Sequence, residues 1–216
     1  MTDKLNIMIV GVGGQGTLLA SRILGNVIIA QGFDVKVSEV HGMSQRGGSV
    51  VTYVKYADKV ASPIIDKGEA DLILAFERLE ALRALPFLKK GGRMIVNDRA
   101  MNPMPVITGA AEYPEGIIDE LKSKADVISL DALELAQKAG SIKAVNVVLI
   151  GVLAKSTDIP YEAWIDTIKT TVPEKFLFLI RDTSYSLREP RDMKFSETEV
   201  DGFIFCDAII SKCSSR

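Results

Sequence analysis

Residues 7–16 read IMIVGVGGQG, and this stretch decides the fold. Its first four apolar residues predict a buried strand, and the spacing of Leu19, Ile23 and Val27 directly after the glycines predicts a helix. A strand, a glycine-rich turn and a helix N-terminus form a site for phosphate or another anion, because the first amides of the helix point at the ligand. The order therefore indicates an α/β protein with an anion or nucleotide site at this turn.

The glycines of this turn have separate expected roles. Gly11 allows the tight turn, Gly13 lets a ligand approach the backbone, and Gly16 lets the helix pack close to the strand. A turn that serves strand–helix packing alone is the alternative. The candidate cofactor-binding residues here are Gly11, Gly13, Gly14, Gln15 and Gly16.

Strand and helix patterns alternate along most of the chain. We expect strands at Leu5–Val10, Asp34–Val40, Asp71–Phe76, Arg93–Asn97 and Asp126–Ser129. We expect helices at Thr17–Gln31, Glu77–Leu85, Glu115–Lys124, Asp131–Ala139, Lys143–Lys155 and Asp158–Thr171, with a last short one from Pro173. This rhythm predicts an α/β fold that is doubly wound, with a mostly parallel sheet and helices on both faces.

Three segments depart from the rhythm. Ser49–Tyr56 is rich in strand-forming residues, and we expect it to pair with Lys59–Ile65 as an antiparallel hairpin. The proline-rich stretch 98–114 predicts an irregular connection with one short strand at 106–107. After about residue 179 the only apolar run is Phe203–Ile210, which is compatible with an extra strand, an arm onto a partner or a poorly ordered tail.

Composition excludes several classes of function. The net charge of −2 provides no basic field for nucleic acid, and no apolar stretch reaches the length that spans a bilayer. The first residues lack the pattern of a signal peptide, so we expect a cytoplasmic protein. Cys206 and Cys213 are the only cysteines and His41 is the only histidine. A 4Fe–4S cluster normally takes four thiolates, so we expect no metal site in this chain alone.

A second polar, glycine-rich segment runs from His41 to Gly48. It follows the second predicted strand, at the edge of the sheet where open α/β proteins bind ligands, so we expect it beside the first glycine turn. Arg46 offers a planar fork for phosphate or carboxylate, although a solvated loop charge is the alternative. For His41 the alternative is a histidine that is hydrogen-bonded for structure alone. The candidate residues here are His41, Ser44, Gln45, Arg46, Gly47 and Gly48.

Familiar catalytic patterns are missing from the sequence. Glu39 lies near the spacing at which an acidic residue binds the ribose of NAD, but a solvated strand residue explains it equally well. Neither a P-loop lysine motif nor a Gly-x-Ser-x-Gly motif occurs. Glu77 and Glu80 are interpreted as the polar face of a helix. An anion-binding corner without catalytic groups suggests a subunit whose chemistry a partner completes.

The glycine turn and the string HGMSQRGG (residues 41–48) together resemble the gamma-type domain of the 2-oxoacid:ferredoxin oxidoreductases, and are most similar to its indolepyruvate branch. The resemblance continues through EADL (69–72), PMPVITG (103–109) and KAVNV (143–147), and covers roughly residues 5–178. We therefore expect residues 1–178 to form the gamma-type catalytic domain. Residues 179–216 are expected to be an atypical C-terminal extension or tail, explained by an altered reading frame or by a genuine appendage.

The resemblance implies a role in the oxidative decarboxylation of an aryl-2-oxoacid to an acyl-CoA, with reduction of ferredoxin. Thiamine diphosphate, Mg and 4Fe–4S clusters would belong to a larger alpha subunit, coenzyme A would be a co-substrate, and this chain would hold no cofactor alone. Gamma subunits acting on pyruvate, 2-oxoisovalerate or 2-oxoglutarate are the alternatives within the family. A self-sufficient NAD-dependent dehydrogenase and a non-catalytic nucleotide-binding module are the alternatives outside it.

Overall fold

A computed structural model describes residues 4–41, 47–138 and 142–171 of the chain. Six strands and seven α-helices lie within these ranges. The strands are β1 (Leu5–Val12), β2 (Asp34–His41), β3 (Ser49–Ala57), β4 (Ala70–Ala75), β5 (Leu88–Asn97) and β6 (Asp126–Leu130). The α-helices are α1 (Thr17–Ala30), α2 (Arg78–Ala84), α3 (Met104–Ile107), α4 (Ile117–Lys124), α5 (Ala132–Lys138), α6 (Val145–Lys155) and α7 (Tyr161–Thr171), with 3-10 turns at Leu85–Phe87 and Ile142–Ala144.

The strands form one mixed sheet in the order β2-β3-β1-β4-β5-β6. β1, β4, β5 and β6 are parallel neighbours, as the βα rhythm predicts. β3 is antiparallel both to β1 and to β2, so β2 in turn runs in the direction of β1. The α/β class and the antiparallel element are confirmed.

The partner predicted for β3 is wrong. β3 pairs with β2 on one side and with β1 on the other, so neither of its edges is open to a returning strand at Lys59–Ile65. That segment is not a strand in the structure. Its polar groups bond elsewhere: the Val60 amide donates to Asp34 Oδ2 at 2.9 Å, and Lys55 Nζ donates to the Ile64 carbonyl at 2.8 Å.

The proline-rich connection 98–114 contains a short helix rather than the predicted short strand. Pro103 precedes α3, and its carbonyl accepts hydrogen bonds from the Val106 and Ile107 amides at 2.9 and 3.1 Å. Proline is compatible with the first turn of a helix, because the amide it lacks would have no partner there. α3 exposes Met104 and Ile107 by about two thirds.

Two apolar layers cover the two faces of the sheet. The larger one joins α1, α5, α6 and α7 to one face, and the smaller one joins α2 and α4 to the other. α6 and α7 contribute Leu149, Leu153, Trp164 and Ile168, which are fully buried. Helices on both faces confirm the doubly wound arrangement. No helix in the described parts of the chain is long and apolar enough to cross a membrane.

The turn between β1 and α1 depends on glycine at two positions. A Cβ on Gly11 would lie 2.8 Å from Gln15 Oε1 and 3.0 Å from the Phe76 Cβ. Gly16 is the N-cap of α1 and has φ +85°, a left-handed conformation that other residues adopt at a cost. A Cβ there would lie 2.1 Å from Nδ2 of Asn146, so Gly16 lets α6 approach the start of α1.

Gly16→Ala is expected to destabilise the protein by about 1–3 kcal/mol, because it adds left-handed strain and displaces Asn146. Gly25→Ala is a matched control inside α1, where a new Cβ would make only ordinary contact, 3.8 Å from Val37 Cγ2. The control should keep or raise stability by up to about 1 kcal/mol, because alanine favours a helix. Urea unfolding followed by fluorescence of Trp164, the only tryptophan, measures both. Equal stability of Gly16→Ala and the natural protein would contradict this role.

The boundary expected between residues 178 and 179 lies outside the described residues, as does the helix predicted from Pro173. We propose that the chain folds without residues 179–216, because both apolar layers are already closed by α7 and the strands before it. Truncation after Phe178 should leave one cooperative thermal transition in Trp164 fluorescence. Loss of that transition would assign Phe203–Ile210 to the core.

Candidate functional site

The two glycine-rich segments meet at one edge of the sheet. The Gly13 amide donates to the Gly48 carbonyl at 2.8 Å, and the Gly47 amide donates to the Gly13 carbonyl at 3.4 Å. These bonds arise because β1 ends where β3 begins, with Val12 opposite Ser49. The expected proximity of the two segments is thereby confirmed for Gly13, Gly47 and Gly48.

Other predicted members of the second segment are described only in part. The backbone of His41 ends β2 and pairs with Val50, so it reaches the same edge of the sheet. Ser44, Gln45 and Arg46 lie outside the described residues, as does the His41 side chain. Their assignment to a binding site stays a prediction.

Gln15 has a clear structural role in the turn. Its Oε1 accepts the Val12 amide at 2.7 Å, and its Nε2 donates to the Phe76 carbonyl at 3.1 Å. Nε2 also lies 3.2 Å from the Met101 sulfur. The side chain thus ties the end of β1 to the residue that follows β4, and its amide is largely used within the protein. Ligand binding by Gln15 stays a prediction.

A cleft of about 430 Å³ opens beside this turn. Residues 13–16 form one wall, residues from the carboxyl ends of β4 and β5 form the floor, and the start of α6 forms the other wall. The volume lies within the range of small-molecule sites. Gly14 and Gly16, both with positive φ, place main chain rather than side chains along the wall. A ligand in this cleft would therefore face main-chain atoms of residues 13–16 and the N-terminus of α1.

Arg99 adds a cation to the cleft, and the sequence analysis missed it. It is exposed, lies two residues beyond the end of β5, and makes no ion pair within the described part of the chain. Neighbouring Asn97 is buried and holds the local backbone, because its Nδ2 donates to the Phe76 carbonyl at 3.2 Å and its Oδ1 accepts the Ala132 amide at 3.0 Å. An arginine two residues after a predicted parallel strand was the available signal, since such positions lie at the edge of the sheet where open α/β proteins bind ligands.

Glu77 and Glu80 differ from the expected solvated helix face. Both are buried, with 1% and 5% of their surface exposed. Glu77 is the N-cap of α2: its Oε2 accepts the Glu80 amide at 2.8 Å, and its Oε1 accepts the Met101 amide at 3.1 Å and the Tyr113 hydroxyl. Burial, and then the bond to Glu77, raise the pKa of Tyr113 far above its usual value, so the phenol stays a donor.

The Glu80 carboxylate bonds to one residue of β3 and one residue of α2. Its Oε2 accepts the Ser49 hydroxyl at 2.5 Å, and its Oε1 accepts from Arg83 Nη1 at 2.5 Å. The interpretation of Glu77 and Glu80 as a solvated helix face is wrong. Two residues three positions apart can also be the N-cap and the third residue of a helix, and Glu77 and Glu80 occupy these positions in α2. The two carboxylates face different partners rather than each other.

Glu39 does not have the geometry that the NAD interpretation requires. β3 lies between β2 and β1, which places Glu39 two strand spacings, roughly 10 Å, from the strand that carries the glycine turn. Its Oε2 accepts from Thr52 Oγ1, its partner on β3, at 3.4 Å. Glu39 is thus a strand residue that bonds to the neighbouring strand.

No metal site is evident across residues 4–41, 47–138 and 142–171, where no three His, Cys, Asp or Glu side chains are arranged to hold an ion. The polar groups that this part of the chain brings to the cleft are main-chain groups of residues 13–16 and the side chains of Asn97, Arg99 and Asn146.

Comparison with known proteins matches this chain to oxidoreductase subunits. It is 43% identical over 180 residues to indolepyruvate oxidoreductase subunit IorB of Thermococcus kodakarensis, covering 80% of this chain and 88% of the relative. It is 25% identical over 169 residues to the pyruvate/ketoisovalerate oxidoreductases common subunit gamma of Thermococcus litoralis, covering 77% and 83% of the two chains.

The fold also matches a solved structure. The gamma subunit of a keto/oxoacid ferredoxin oxidoreductase from Geobacter sulfurreducens superposes with a TM-score of 0.61 at 21% identity, covering 94% of this chain and 99% of that one. The sequence pattern of the pyruvate ferredoxin/flavodoxin oxidoreductase family matches residues 6–181. The chain therefore belongs to this family, as a gamma-type domain.

Proposed function

We propose that this chain is the small subunit of an indolepyruvate-type 2-oxoacid:ferredoxin oxidoreductase, which oxidatively decarboxylates arylpyruvates to acyl-CoA. The supporting observation is the 43% identity to an indolepyruvate oxidoreductase subunit, against 25% to a pyruvate/ketoisovalerate gamma subunit. The higher identity to the indolepyruvate oxidoreductase subunit favours an aryl-2-oxoacid as substrate over the smaller 2-oxoacids. The proposed location is the cytoplasm, with neither nucleic acid nor a membrane as partner.

The cleft is the proposed contribution of this chain to the shared site. The amides of Gly14 and Gly16, the N-terminus of α1 and the Arg99 guanidinium favour an anion, whereas the Gly13 and Gln15 amides are bonded within the protein. Arg46, together with His41, Ser44 and Gln45, would add further donors from the segment that ends at Gly47 and Gly48. Coenzyme A carries phosphates that such donors recognise, so we assign the cleft to binding and orienting its phosphates.

The remaining cofactors do not fit this chain. Its two cysteines are too few for a 4Fe–4S cluster, and its described residues lack a metal-binding group. We propose that thiamine diphosphate, Mg and the clusters lie on a larger alpha subunit, which decarboxylates the 2-oxoacid and passes electrons to ferredoxin. In this proposal the chain holds the acyl acceptor near that centre.

The isolated chain is expected to be inactive, because it lacks ligands for clusters and hence a path for electrons. Arylpyruvate oxidation with a viologen acceptor should require the co-expressed large subunit. Turnover by the isolated chain would overturn the subunit assignment. Tight NAD binding by the isolated chain would favour a dehydrogenase, and nucleotide binding without assembly would favour a non-catalytic module.

Arg46→Ala is expected to weaken coenzyme A use or subunit assembly about tenfold or more, because charge-assisted bonds to a phosphate contribute about 1.5–3 kcal/mol. Arg46→Lys should recover only part of the loss, because lysine lacks the planar fork. Arg93→Ala is the control: Arg93 pairs with Asp126 at the opposite edge of the sheet, with an Nε–Oδ2 distance of 2.7 Å. The measurements are the KM for coenzyme A, complex formation and the melting temperature. Normal assembly and kinetics in Arg46→Ala would make residues 41–48 structural.

A further inference from the structure

We infer that Glu80, acting through Ser49, is a positioning residue that holds the glycine-rich wall of the cleft in register, while Glu77 at the start of the same helix holds the adjoining floor. The inference rests on the proposed function for its kinetic readout, and on the structure alone for its geometry. It concerns α2, a helix that does not itself line the cleft.

The contact between Glu80 and Ser49 is specific and shielded from solvent. The Ser49 hydroxyl donates to Glu80 Oε2 at 2.5 Å, and only 5% of the Glu80 surface is exposed. Arg83 donates to the other carboxylate oxygen at 2.5 Å. A buried carboxylate that has lost a donor is unfavourable, so this bond holds Ser49 against α2.

Ser49 transmits this restraint directly to the cleft. It is the residue after Gly48, whose carbonyl accepts the Gly13 amide at 2.8 Å, and Gly13 lines the cleft. The Gly47 amide donates a second hydrogen bond, to the Gly13 carbonyl. Movement of Ser49 would therefore shift the main-chain pair that joins the two glycine-rich segments.

Glu77 attaches α2 to the floor of the cleft. Its Oε1 accepts the amide of Met101, which lines the cleft and contacts Gln15. Tyr113 donates to the same oxygen, so the connection that follows β5 is fixed at two points. The two carboxylates at the start of one short helix thus fix the glycine-rich wall relative to the floor, and neither needs to touch the ligand.

The test uses Ser49→Ala and Glu80→Gln, each compared with Ser49→Thr, which keeps the hydroxyl. Asp126→Asn is the control, because it weakens an exposed ion pair at the opposite edge of the sheet. The first readout is amide hydrogen exchange at Gly13 in the full-length chain. We expect exchange to accelerate about fivefold or more in Ser49→Ala and Glu80→Gln, and to stay unchanged in Ser49→Thr and Asp126→Asn.

The second readout is the kinetics of the complex with its large subunit. Misplaced donors should raise the KM for coenzyme A about threefold to tenfold while kcat changes less than about twofold. Unchanged Gly13 exchange in both variants would overturn the inference. An unchanged KM in both variants, with a raised KM in Arg46→Ala, would also overturn it. Faster exchange with no coenzyme A effect in any variant, Arg46→Ala included, would support the positioning of the wall and overturn the proposed function instead.

Discussion

The main-chain pairing between β1 and β3 is the constraint on which the rest of this structure depends. It extends through eight register positions, from Leu5 opposite Tyr56 to Val12 opposite Ser49, and continues past the strands in the bonds between Gly13 and Gly47–Gly48. Because β3 occupies that edge of β1, β2 is displaced to the rim of the sheet. The same pairing therefore builds the cleft wall and removes the position at which a dinucleotide-binding protein places its ribose acid.

Polar side chains at the ligand edge satisfy the protein's own backbone. Gln15, Asn97 and Glu77 each bond main-chain groups of a different segment, and these bonds join the ends of β1, β4 and β5. Buried groups with such partners resist rearrangement, because each broken bond leaves a polar atom without water. The wall and floor of the cleft thus consist of main chain held in place by side chains, and Arg99 is an exposed cation beside them.

Local patterns predicted most of the elements but not the neighbours of the strands. Asp131 illustrates the success: a helix was expected from this residue, and its Oδ1 accepts the Glu134 amide at 2.8 Å at the start of α5. The placement of Ser49–Tyr56 illustrates the limit, because alternation identifies a strand but not its partner: Val54 lies opposite Ile7, far earlier in the chain. Gly47 and Gly48 were placed correctly because carboxyl ends of parallel strands share an edge. The burial of Glu77 and Glu80 was not predicted, because residues with this spacing also occur on a solvated helix face and burial depends on tertiary packing.

The non-local pairing of β1 also determines when the sheet can form. Ile7 lies opposite Val54 on one side and opposite Leu72 on the other, so β1, which is synthesised before β3 and β4, completes its hydrogen bonds only after both of them exist. Until then an apolar strand has two open edges, and each contact must close a long loop before it is stabilised. Folding of this domain is consequently expected to be slow, and most vulnerable to aggregation while the chain is still being made.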